Sequence, residues 1–155
     1  MLKQTVVFRV LSFALLMAVV GLLAACGDSD ESTASETQTK KAYIQAADVI
    51  CVRENAKIRA QALKYQKEHG FSKDPEKQQE LIKSIIIPAQ QGQVTGLKAL
   101  DPPDEDQDEA ESFIELFEEV IEKTEENPPL VLEGTGPYQE LREAAQAFGF
   151  KACGQ

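Results

Sequence analysis

The side chains with most chemical potential in this 155-residue chain are few: Cys26, Cys51, Cys153 and a single histidine, His69. A nucleophilic cysteine needs its base within hydrogen-bond reach. His69 follows Cys51 by 18 positions in what reads as one helix, about 27 Å at 1.5 Å per residue, so the two cannot act together. One histidine and no CxxC pair exclude the common zinc spacings. A second candidate is acidic. Asp104, Asp106, Asp108 and Glu115 stand at positions 1, 3, 5 and 12 of a calcium loop. Position 6, however, is Glu109 where the sharp turn needs glycine, and the preceding Asp101-Pro102-Pro103 cannot be an incoming helix. The same residues read better as the first turns of a helix, where carboxylates favour the positive end of the macrodipole. Asp106, Glu111 and Glu118 are accordingly expected to face solvent. There is no Walker loop, GxSxG or HExxH motif. The sequence therefore predicts a protein that is not an enzyme, with no metal and no cofactor.

The first 25 residues carry an export pattern. Lys3 and Arg9 give a positive start, Val10 to Ala25 is almost wholly apolar, and small residues end the run. Uncharged residues extend only from Val10 to Gly27, a marginal length for a spanning helix, and no stop-transfer charges follow. Leu23-Ala24-Ala25-Cys26 resembles the cleavage motif of bacterial lipoproteins. That resemblance implies removal of residues 1–25 and a thioether-linked diacylglycerol on Cys26, with palmitate-type acyl chains as the membrane anchor. Two or more chains hold a protein stably where one does not. The expected location is the extracytoplasmic face of a bacterial cell membrane. Residues 26–41 continue as "GDSDESTASETQTKK" after the cysteine. This stretch has no large apolar residue and reads as a flexible tether.

The body, expected over 42–155, is long enough for one domain with its own core. Its charge is uneven. Nine lysines and arginines oppose six acids from Ala42 to Lys98, whereas three oppose sixteen from Ala99 to Gln155. The acidic balance excludes the footprint of a nucleic-acid binder. It also disfavours lying on anionic lipid, and the opposed halves favour docking on each other.

Apolar positions recur at helical spacing in four segments. Ile44, Ala47, Cys51, Ile58, Ala62 and Tyr65 mark one face of the first, which Gly70 ends. Asn55 sits on or beside this stripe and is expected to be a hydrogen-bonded interior group. Asp74-Pro75-Glu76 opens the second as N-cap, first-turn proline and acidic residue. Pro88 lies inside it and should kink it, while Gly92 and Gly96 weaken its second half. The third starts at Asp104 and carries Ala110, Phe113, Ile114, Phe117, Val120 and Ile121. "PPLVLEGTG" reads as a partly apolar loop, and the short fourth helix runs from Pro137 to Phe148. Short connections favour antiparallel neighbours. The expected fold is all-α, an up-down-up-down four-helix bundle with a proline-kinked second helix and a short fourth one.

With Cys26 acylated, Cys51 and Cys153 have one possible pairing. Export makes a disulfide plausible, and in such a bundle the start of the first helix and the end of the fourth lie together. The landmarks "ADVICVREN", "IIIPA", "LKALDPPDEDQDE" and "AFGFKACG" resemble, in order along the whole body, a group of small helical bacterial lipoproteins. The resemblance implies the bundle and the cysteine pair, and no activity. Two functions follow as expectations. One is a non-catalytic binding or structural module of the cell envelope, meeting a protein or cell-wall partner. The alternative is a small-ligand binder with an interior pocket, its open end governed by "PPLVLEGTG".

Overall fold

A computed structural model describes residues 31–70 and 73–155, with side chains from Lys40 onward. The described residues are all-helical, with no strand among them. Helix α1 spans Glu31–His69, α2 Pro75–Leu81, α3 Ile87–Lys98, α4 Gln107–Glu126, α5 Leu130–Glu133 and α6 Pro137–Phe148.

Helix α1 begins ahead of the expected body start at Ala42. Residues 31–41, assigned to the tether, are helical, and its leading residues 26–30 lie outside the described residues. Extension is favoured because each residue added to an existing helix gains a backbone bond without a new nucleus. Gly70 closes the helix with φ of 76°, in the left-handed region its missing Cβ allows. The expected stripe is buried at Ala47 and Cys51 but only half-buried at Ile44, Ile58, Ala62 and Tyr65. Tyr43 and Glu54 complete the inward face.

The Asp74 side chain accepts the Glu76 amide at 3.0 Å, as an N-cap should. The second segment then runs as α2, a π turn over Ile82–Ile86, and α3. The Ile87 amide donates to the Ile82 carbonyl, five residues back. Pro88 falls in the first turn of α3, so the wide turn takes up the lost donor and the ring's bulk.

Gly92 and Gly96 have a packing role. A Cβ on Gly96 would lie 2.6 Å from Ile50 Cγ2, and one on Gly92 would lie 3.2 Å from Glu54 Oε2. These bare positions let α3 approach α1 closely. All six expected core residues of α4 are buried, and Thr124 extends their stripe. Within "PPLVLEGTG", expected to be a loop, Leu130–Glu133 form the single helical turn α5, and the residues on either side remain turns and irregular chain. Leu130 and Val131 pack against the core there, and Arg142 holds the Gly134 carbonyl.

Helix α1 packs on α3, α3 on α4, and α4 on α6. The segment after α6 returns to α1. Gly149 turns the chain at φ of 108°, and Phe150 stacks on Phe148 at 4.5 Å between ring centroids. Phe150 also meets Phe113 at 4.9 Å, while Tyr43 meets Phe148 edge-on at 5.8 Å. This aromatic cluster joins α1, α4 and α6 in one core.

Candidate functional site

Cys51 and Cys153 form a disulfide across 102 residues with a Cα–Cα distance of 5.1 Å. They are 0 % and 2 % exposed, so no reagent reaches the bond without local opening. Polar clasps hold the same segment independently. Asp48 accepts the amides of Lys151 and Ala152 at 2.9 and 2.8 Å. Asn55 donates to the Ala152 carbonyl at 3.2 Å and accepts from Gln93 at 2.8 Å. Asn55 is thus a hydrogen-bonded group beside the stripe, as expected, but half-buried rather than fully interior.

Glu54 is 3 % exposed. Its carboxylate accepts from Lys57 Nζ at 2.8 Å and Arg53 Nε at 2.9 Å. The Lys57 hydrogen bond, then the Arg53 bond and both charges, hold its pKa below the ordinary value despite burial. Sequence reasoning passed over Glu54, although Ala47, Cys51, Glu54 and Ile58 keep a four-three-four spacing that puts it on the inward stripe. A second buried network joins α3, α4 and α6. Tyr138 Oη meets Thr124 Oγ1 at 2.9 Å and the Gln90 amide at 3.1 Å.

The acidic run is partly a structural element. Asp104–Asp106 form a 3-10 turn before α4. Asp106, expected at the solvent face, is 7 % exposed and ion-paired to Lys40. Its Oδ2 is buried without a hydrogen-bond partner. The Asp106 hydrogen bond raises the Lys40 pKa, and the ammonium lies 4.5 Å above the Phe148 ring. Lys40, assigned to the tether, therefore belongs to the packed body. Glu111 is exposed, whereas Glu118 is half-buried and pairs with Lys98 at 2.6 Å. No three His, Cys, Asp or Glu residues converge for a metal among the described residues.

His69 stacks on Tyr65 at 4.4 Å, at the far end of α1 from Cys51. The thiol it would have activated is consumed in the disulfide. Cys26 and the 1–25 leader lie outside the described residues. No helix among the described residues is long and apolar enough to cross a membrane.

Surface concavities are open grooves. One of ≈ 290 Å³ lies between α1, α2 and α5, bordered by Tyr65, Lys77 and Leu132. A larger one of ≈ 850 Å³ runs beside α1, bordered by Lys41, Ile44, Val49, Gly149 and Lys151. Neither brings together a nucleophile and a base. Compared with known proteins, the chain matches no family model, no curated protein and no solved structure.

Proposed function

We propose that this chain is a lipid-anchored cell-envelope protein whose helical body is a non-catalytic binding or structural module. Membrane contact is made through lipid on Cys26, and the partner is an envelope protein or cell-wall component. The disulfide is the observation that carries this reading. A buried bond spanning almost the whole body suits a compartment outside the cytoplasm, which is where the leader and Leu23-Ala24-Ala25-Cys26 would send it. We read the body as an up-down-up-down four-helix bundle, in which the segment after α6 meets the first turns of the packed part of α1.

Surface binding is favoured over an interior pocket by α5. Leu130 and Val131 pack on the core, which supports a plug over a mobile cover. The anchor is tested by replacing Cys26 with serine in a bacterial host fed labelled palmitate. Wild type should incorporate label and lose residues 1–25, and the variant should do neither. Label retained by the Cys26→Ser protein, or Met1 retained by wild type, sinks the lipoprotein reading.

A further inference from the structure

Helix α1 has two apolar faces, and the core uses one. Tyr43, Ala47 and Cys51 point inward. On the opposite side Ala42, Val49, Val52, Ala56, Ala60 and Leu63 are all exposed. Val49, Val52 and Leu63 are 67 %, 52 % and 66 % exposed and make up most of the large apolar side chains that face water among the described residues. At 100° per residue these six fall within an arc of about 80°, in a stripe about 31 Å long. Ala42, Val49, Ala56 and Leu63 recur every seven residues, the spacing that keeps a seam facing a partner helix. A helix apolar on two faces has a second surface to cover.

The borders of the stripe identify what covers it. Lys41, Arg53, Lys57, Arg59, Lys64 and Lys67 flank it and are exposed. Arg53 and Lys57 share the single buried Glu54 carboxylate, and Lys64 faces Glu68 at 3.9 Å. Lys41, Arg59 and Lys67 have no ion pair among the described residues and keep the border net positive. Asp48 holds the amides of residues 151 and 152. The ≈ 850 Å³ groove lies along the first turns of the stripe, where Lys40, Lys41 and Lys151 outnumber Asp48 and Glu105. Two copies joined through this face would set cations against cations. A lipid surface would gain from bulky side chains, and three of the six seam positions are alanine. Alanine suits the close approach of another helix.

We infer that the outward seam of α1 docks an acidic amphipathic helix of a partner protein, its apolar stripe in the seam and its Asp or Glu flanks against these lysines and arginines. The inference rests on the binding-module reading and gives the partner's chemical class. It is the helix-in-groove mode of recognition with charge complementarity setting specificity.

The chain has no tryptophan, so Val52→Trp places a single reporter in the seam. The full chain carrying it, held in phosphatidylcholine nanodiscs, is titrated with a synthetic helix of about four heptads having a Leu/Ala seam and Glu flanks. A twin peptide with Lys flanks is the control. The acidic peptide should shift the emission to the blue and bind more weakly as salt is raised, and the twin should not bind. Adding Val49→Asp and Leu63→Asp should weaken binding about tenfold or more, with an unchanged circular dichroism spectrum. Should that variant fail to fold, Arg59→Glu with Lys64→Glu should reverse the peptide preference. Equal response to both peptides, or binding that survives these substitutions, overturns the inference. So does a blue shift without peptide, whether produced by phosphatidylglycerol nanodiscs (a membrane face) or by raised protein concentration (a second copy). Turnover of a wall or lipid substrate would instead sink the non-catalytic reading and leave this titration unaffected.

Discussion

Two buried carboxylates show how differently one residue type can be used. Glu54 has two cations on it, and its pKa is lowered chiefly by the Lys57 hydrogen bond. A carboxyl with a depressed folded-state pKa stabilises above its unfolded value and loses that contribution as pH falls. The Glu54 contribution is thus complete above its ordinary 4.5 and disappears as acid titrates it below that point. Glu54→Gln keeps the volume and removes the titration. Urea melts should therefore show a shallower loss of stability between about pH 5 and 3 in the variant than in wild type. An unchanged slope would mean that Glu54 carries no net pairing in the folded state. Asp106 is buried against Lys40. Asp106→Lys would set two ammonium groups together in place of the pair and should cost about 3–5 kcal/mol, whereas Glu111→Lys on the exposed face should stay within about 0.5 kcal/mol. Equal small effects from the two substitutions would show that Asp106 is solvent-accessible after all.

At the scale of elements, the contact between α1 and α3 depends on what α3 lacks. Helix propensity alone predicts that Gly96→Ala stabilises by up to about 1 kcal/mol. The added methyl would meet Ile50 at 2.6 Å, too close for any Cβ, and Ile50 is a branched side chain with limited ways to yield. Overpacking of this kind costs about 1–3 kcal/mol, so the expected outcome is a lower melting temperature. In an Ile50→Ala background, which lacks the Cγ2 methyl at the contact, Gly96→Ala should cost less than it does in wild type. A melting temperature raised by Gly96→Ala alone would show that the two helices do not approach as described. The π turn over Ile82–Ile86 is a local answer to Pro88. The proline's missing donor and its ring are absorbed one turn earlier, so α3 can present Gly92 and Gly96 without a break.

For the whole molecule, the disulfide converts a row of neighbouring helices into a closed structure. Helices α1, α3, α4 and α6 contact in sequence, and the Cys51–Cys153 bond with the Asp48 and Asn55 clasps ties the last to the first. A cross-link spanning about 100 residues stabilises by up to about 4.7 kcal/mol in the chain-entropy model, and losing a native one costs 2–5 kcal/mol in small secreted domains. Cys51→Ser with Cys153→Ser should lower the denaturant midpoint and raise the m-value, because the unlinked denatured chain is less compact and exposes more surface. Wild type should resist reduction in native buffer, because both sulfurs are buried. Rapid native-state reduction without loss of helicity would show that the bond is accessible and structurally incidental.

Local patterns were legible without coordinates. The Asp74-Pro75 start, the Gly70 and Gly149 stops, the stripe of α4 and the limits of α6 all follow from side-chain period and cap chemistry, which act within a few residues. The cysteine pairing followed from arithmetic, since one candidate pair remained once Cys26 was assigned to lipid. Tertiary structure decided the rest, because burial of a polar group depends on what packs over it. Nothing local distinguishes Asp106 from Glu111, yet only the former meets Lys40 from a segment 66 positions earlier. Gly92 and Gly96 read as weak points in a helix until Glu54 and Ile50 lay against them. The outward stripe of α1 is the converse case. Its periodicity is present in the sequence, but only the packed body shows that Ala47 and Cys51 satisfy the core and leave Val49, Val52 and Leu63 in water.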